Sequence, residues 1–307
     1  MESEFVRWLR DRLGVSPNLV VGPGDDAAVL RAQVDSESVV TCDLLADGVH
    51  FQLDRDSTQR IGHKALGVNL SDLAAMAAVP VAGFVTVALP RKHGLTLAQQ
   101  LFEGMQPLAD RYELAIAGGD TNTWDGPLVI SATLIGRTTR HGPLLRSGAR
   151  PGDQLVVSGC FGGSLLGHHL DFEPRVHEAL LLAEAFRLHA GMDCSDGLAL
   201  DSSRLAEESG CGVVIDVTIV PISEAAHQLA GQTGRNPLDH ALGDGEDFEL
   251  ILAVPADEAE RLLAEQPLDI PLTRIGEFID QQGLWCVQDG QRTAMRPQGY
   301  LHGATDG

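Results

Sequence analysis

At 307 residues, 44% hydrophobic and 21% charged, the chain has the composition of a globular protein long enough for two domains, each with its own core. A formal net charge of −21, with Lys64 and Lys92 its only lysines, excludes nucleic-acid binding through a basic surface. No run of 18 apolar residues is present, so no membrane-spanning helix is expected, and the charged start "MESEFVRWLRDRL" is unlike a signal peptide.

The first stretch predicts a short amphipathic helix with Phe5, Trp8, Leu9 and Leu13 on one face. "VGPGDDAAVL" follows, placing Asp25 and Asp26 after a Gly-Pro-Gly turn, where both are readable as plain turn residues. A β-branched run over 38–45 predicts a strand carrying Asp43, with Asp47 and His50 beyond it. A helical pattern over 58–78 holds Asp72 among Leu70, Leu73, Ala74, Ala75 and Met76, a costly place for a carboxylate unless it is paired or metal-bound. A strand over 83–89 and a helix over 96–112 come next. Asp120 then follows a strand and two glycines that let a ligand approach the backbone closely. A strand over 127–136 leads to "RSGARPGD" (146–153), a Gly/Pro turn cluster that divides the chain into domains at 1–145 and 146–307.

The second half predicts strands over 153–159, 212–220 and 248–255, and helices over 175–190, 197–209 and 256–265. Strands and helices mix along the whole length, so the fold class is α/β (α+β) in two domains. The glycine-rich "GCFGGSLLG" (159–167) lacks the G-x-G-x-x-G spacing and is a weak signal. "MDCSDGLALD" (192–201) sets Asp193, Ser195 and Asp196 just before a helix. Ser195 or Asp196 there could cap the helix by accepting from its first N–H groups. "GDGEDFELILAV" puts Asp244, Glu246 and Asp247 immediately before a strand. The five cysteines, Cys42, Cys160, Cys194, Cys211 and Cys286, are odd in number and form no C-x-x-C pair, which suits a reducing cytoplasm, with most of them expected as small buried thiols.

Familiar phosphate and metal motifs do not account for these acids. There is no G-x-x-x-x-G-K-[ST], and "DTNTWDG" has Trp124 where a calcium loop needs an oxygen ligand. Clustered carboxylates without a lysine loop suit Mg²⁺, which prefers oxygen ligands and binds through few carboxylates plus substrate phosphates. Such ions clamp a polyphosphate and invert the sign of an acidic site toward an anion. The residues alone therefore point to a metal-dependent enzyme acting on phosphates.

"GPGDDAAVL", "TCDLLADGVHF", "KALGVNLSDLAAMAAVP", "AGGDTN", "LLRSGARPGD", "MDCSDGLALD" and "GDGEDFEL" resemble, in that order, the thiamine-monophosphate kinase family of the aminoimidazole-ribonucleotide synthetase superfamily. The resemblance runs from about residue 20 to Tyr300. It implies ATP-dependent phosphorylation of thiamine monophosphate to thiamine diphosphate in a homodimer. It also implies that the N-terminal sheets of two chains form a shared barrel, with a C-terminal α/β domain packed outside. By the same resemblance, Asp26, Thr41, Cys42, Asp43, Asp72, Asp120, Asp193 and Asp196 fall at magnesium-binding positions, with Asp72, Asp120 and Asp196 serving catalysis. Gly119, Asp120, Arg146 and Ser195 match nucleotide-side positions, and His50, Glu246 and Tyr300 match acceptor-side positions. Two departures stand out. Cys42 replaces a hydroxyl residue, so its contribution is expected from the backbone carbonyl, and Asp244 replaces a glycine, which adds a negative charge near the acceptor end. Other ATP-dependent members of the superfamily, or a non-catalytic metal- or nucleotide-binding protein, are the alternatives.

Overall fold

The computed structural model describes residues 4–5, 8–9, 12–13, 16–21, 28–32, 35–92 and 94–300. The chain divides into two units, one of Met1–Leu73 with Ala78–Gly142, the other of Ala74–Ala77 with Pro143–Gly307. Asp25 and Asp26 lie outside the described residues.

The first unit is built on a four-stranded sheet of β3 (Ser38–Ala46), β4 (Val79–Pro90), β5 (Ala115–Trp124) and β6 (Val129–Arg137), in the order β3-β6-β4-β5. A small hairpin of β1 (Leu19–Val21) and β2 (Val29–Leu30) precedes it. β4 and β5 are parallel and joined through a helix, whereas the β3–β6 and β4–β6 pairs are antiparallel. Alternation along β3 buries Val39 and Leu45 and leaves Val40 and Leu44 about 60% exposed (61% and 60%). Helices α1 (Thr58–Ala75) and α2 (Gly94–Arg111) supply the rest of the core, with Ile61, Leu66, Leu70, Leu73, Leu101 and Leu108 almost wholly buried. The two helices touch through backbone: a Cβ on Gly62 would lie 2.1 Å from the Leu101 carbonyl oxygen, and one on Gly104 1.8 Å from that of Gln59. Near the N-terminus, Phe5 stacks on Trp8, and Trp8 meets Phe102 edge-on at 5.6 Å.

The second unit holds a seven-stranded sheet, β13-β12-β9-β11-β7-β10-β8, antiparallel except between β9 and β12. Its strands are β7 (Gln154–Ser158), β8 (Ala190–Asp193), β9 (Gly212–Asp216), β10 (Leu250–Val254), β11 (Leu272–Ile279), β12 (Gly283–Gln288) and β13 (Gln291–Ala294). Its helices are α3 (His168–Asp171), α4 (Val176–Ala185), α5 (Leu198–Glu208), α6 (Glu224–Thr233), α7 (Pro237–Gly243) and α8 (Ala256–Glu265). The core runs between sheet and helices through Leu155, Val157, Met192, Leu198, Leu205, Val213, Ile251 and Phe278.

Several boundaries differ from the sequence expectation. The 175–190 helix ends at Ala185, because Ala190–Asp193 is drawn into the sheet opposite Leu250–Ala253. The 212–220 strand ends at Asp216, whose carboxylate accepts from the N–H and hydroxyl of Thr218 and turns the chain. The 58–78 helix closes at Ala75. The N–H groups of Ala77 and Ala78 return to the carbonyls of Ala74 and Leu73, with Ala77 left-handed at φ 50°. Asp120 lies within β5 and not after a strand.

Candidate functional site

In the first unit, β3 and α1 bring Thr41, Asp43 and Asp72 together. The Thr41 hydroxyl donates to the Asp72 carboxylate in a short hydrogen bond. Asp43, two residues along the same face of β3, has its pKa raised from 3.8 to about 6, first by burial and then by the Asp72 carboxylate. Two carboxylates and a hydroxyl form an all-oxygen donor set whose mutual repulsion a hard divalent cation would relieve, so these residues fit Mg²⁺. Among the described residues no three His, Cys, Asp or Glu side chains gather as a metal site, and Asp26 lies outside them.

Cys42 stands on the other face of β3, where Thr133 donates to its sulfur at 3.2 Å, so its side chain is turned from Thr41 and Asp43. Asp120 is also on that other face. It pairs with Thr86, Thr86 with Ser131 and Ser131 with Leu44, whereas Asp43 is in register with Ala132, Val85 and Gly119. One chain therefore does not bring Asp120 to the Asp43–Asp72 pair. Gly119 packs backbone to backbone, for a Cβ there would fall 1.8 Å from the Val85 carbonyl oxygen. His50 follows β3, with its Nδ1 accepting from the Ala46 N–H at 3.1 Å. Its carbonyl accepts from the fully buried Lys64 at 2.7 Å.

In the second unit three distant stretches converge. Asp193 ends β8 and is buried, and Ser195 and Asp196 form the turn that follows. The Glu246 N–H donates to the Ser195 carbonyl at 2.7 Å, and the Tyr300 N–H donates to that of Asp196 at 2.8 Å. The Ser195–Asp196 turn, expected on the nucleotide side, and Glu246 and Tyr300, expected on the acceptor side, are thus held together by backbone. Glu246 and Phe248 are both left-handed, each at φ 53°, a strained conformation for residues with a Cβ that clusters at functional sites. Arg146, exposed on the same unit, accepts through its carbonyl from Ser209 at the end of α5.

The helix cap differs from the expected one. Neither Ser195 nor Asp196 caps α5; Gly197 holds the cap position with φ 127° and no side-chain bond. Asp201, one turn in, reaches back and accepts from the N–H groups of Asp196 (2.8 Å) and Gly197 (3.1 Å). Asp201 is fully buried, and burial raises its pKa to about 6. Arg204 donates through Nη1 to Asp201 at 2.8 Å and makes a short bond to Asp196.

The glycine-rich 159–167 stretch, weak in sequence, packs directly on this site. The Gly162 N–H donates to Asp247 and the Gly163 N–H to Asp244, while the Ser164 hydroxyl donates to the Gly245 carbonyl. Those N–H groups are taken by the protein's own carboxylates. Asp244 does not stand as a bare charge: His240 meets it at 2.9 Å and Arg235 at 3.6 Å. Glu249 closes the loop, bound by Arg175 through two nitrogens and by Ser158. Asp247 is nine-tenths buried or more, and burial drives its carboxyl well above the usual range.

The chain as a whole has relatives among known proteins. Residues 24–138 match the AIR synthase related protein N-terminal domain, and residues 149–286 match the corresponding C-terminal domain. Two such domains define the class. The chain is 44% identical to a thiamine-monophosphate kinase of Rhodopirellula baltica, over 100% of this chain and 98% of that protein. The crystal structure of a thiamine-monophosphate kinase from Stenotrophomonas maltophilia K279a superposes with a TM-score of 0.79 at 35% identity, covering 94% of this chain and 95% of the other. The structure of AaThiL complexed with AMPPCP and TMP gives a TM-score of 0.77 at 26% identity, covering 98% and 95%. The chain belongs to the thiamine-monophosphate kinase family of AIR synthase related proteins.

Proposed function

We propose that this chain transfers the γ-phosphoryl group of ATP to thiamine monophosphate, giving thiamine diphosphate and ADP, in the cytoplasm and as a homodimer. The observation that carries the reading is the backbone convergence of Ser195 and Asp196 with Glu246 and Tyr300. A relative's complex with AMPPCP and TMP supports the choice of substrates.

Asp26, Thr41, Asp43, Asp72, Asp120, Asp193 and Asp196 would hold several Mg²⁺ ions, with Cys42 contributing its backbone carbonyl. When bound, the ions supply charge neutralisation for the phosphates. Gly119, Asp120, Arg146 and Ser195 position the nucleotide, and His50, Glu246 and Tyr300 position the acceptor. The acceptor is a phosphate oxygen already anionic at neutral pH, so no side chain has to take a proton from it. Transfer is direct and in-line. An aspartyl-phosphate relay is disfavoured because the same carboxylates are engaged as ligands. Catalysis then rests on positioning and electrostatics.

The exposed Val40 and Leu44 on edge strand β3 support pairing with a second chain, in which two N-terminal sheets close a shared barrel. A chirally labelled γ-phosphoryl group tests the mechanism. Inversion, with no ATP/ADP exchange in the absence of acceptor, is the expected result. Retention with acceptor-independent exchange would establish a phosphoenzyme instead.

A further inference from the structure

We propose that Arg204 is a resident counter-ion of Asp196 that a divalent cation must displace, so that Arg204 sets how tightly the second unit takes the ion. The proposal rests on Asp196 being a cation ligand in the reaction above.

The geometry makes Asp196 a carboxylate already in use. Arg204 projects from α5 and donates through one nitrogen, Nη1, to both Asp196 and Asp201. The Asp196 side chain is 25% exposed and that of Arg204 32% exposed, so the pair is open enough to exchange partners. The backbone of Asp196 is not free to move. Its N–H is held by Asp201 and its carbonyl by the Tyr300 N–H, which leaves the side-chain pairing as the element that can change.

Asp201 makes the exchange inexpensive. It is wholly buried, fixed by two backbone N–H groups, and remains on Arg204 when Asp196 lets go. No buried charge is stranded by the swap, which is the usual obstacle to breaking such pairs. The guanidinium and the cation carry like charge and claim the same carboxylate, so each weakens the other's hold on Asp196. In the empty site Arg204 neutralises the two acids that flank the helix start, and in the loaded site the ion takes over that task for Asp196.

The test is a titration of the full-length protein with Mn²⁺, following free ion by electron paramagnetic resonance, with circular dichroism to confirm folding. Arg204→Gln is expected to bind the ion roughly tenfold more tightly, the scale of one partly buried charged hydrogen bond. Arg204→Met, which keeps the packing of the stem, is the second removal variant and should behave alike. Arg204→Lys keeps the charge and should stay near the native affinity. In an Asp196→Asn background, removing Arg204 should make no difference. Unchanged or weaker binding in a folded removal variant would overturn the proposal, as would equal tightening in the Asp196→Asn background. If Asp196→Asn alone left Mn²⁺ affinity unchanged, the ligand assignment of Asp196 would fail, and the exchange with it.

Discussion

Asp43 carries its charge at a cost, because burial and the Asp72 carboxylate both favour its protonated form. With a folded pKa of about 6 against 3.8, the native state keeps a proton that the unfolded chain has released, so native stability falls as pH rises through that window. Asp43→Asn removes the penalty. With a chelator present it should melt above the native protein at about pH 8, and the gain should vanish near about pH 4. A lower melting point at the higher pH would remove the repulsion between Asp43 and Asp72 from the account. Asp72→Asn should fold and lose roughly two to three orders of magnitude in kcat/KM, the scale of one preorganised electrostatic group. Asp120→Asn should do likewise, and near-native activity of either at saturating Mg²⁺ would disqualify it as a ligand. His50→Ala and Tyr300→Ala should raise the KM for thiamine monophosphate and leave that for ATP nearly unchanged; equal losses for both would mean a structural role.

The turn at Gly159–Ser164 and the loop at Asp244–Glu249 act as one element, stitched by the Gly162, Gly163 and Ser164 bonds. Gly163 is left-handed at φ 72°, and a Cβ there would fall 2.4 Å from the Ala225 carbonyl carbon. Gly163→Ala should therefore lower the melting temperature and raise the KM for the acceptor more than that for ATP; an unchanged melting point would mean that the turn yields freely. None of this stitching was legible in the sequence, since bonds between positions some 80 residues apart leave no local pattern. Among the elements that were legible, α2 carries a marked period-3.6 apolar pattern, β3 an apolar run rich in β-branched residues, and α1 a long, mostly apolar stretch buried on nearly every side. β8 escaped because four residues, Ala190–Asp193, become a strand only through pairing with β10. Helices α6 and α7 escaped because "EAAHQLAGQTGRNPLDHALG" is short of large apolar residues and broken by glycine and proline. Asp43 and Asp72, which the fold brings together, stood out in the sequence by type and place, Asp72 by its apolar setting, whereas the turn of Asp120 to the other face of the sheet depends on strand register. The roles of Asp201 and Arg204 were not, because a cap that reaches back and a bridging guanidinium depend on side-chain directions.

At the scale of the molecule, an edge strand with Val40 61% and Leu44 60% exposed is a poor terminus for a solvated sheet. Light scattering over micromolar concentrations is expected to give a dimer, and Leu44→Asp to shift it toward monomer. A native monomer throughout that range would rule out the shared barrel. Asp120 shares a sheet face with Leu44, so in the proposed dimer assembly would bear on the proposed site as well as on the edge. The central claim, that this chain phosphorylates a phosphate, is tested most directly by incubating the purified protein with ATP, Mg²⁺ and thiamine monophosphate and resolving the products by chromatography. Thiamine diphosphate and ADP should appear in equal amounts, and only when all three are present. ADP without thiamine diphosphate, or neither product from a protein that binds both substrates, would contradict the account.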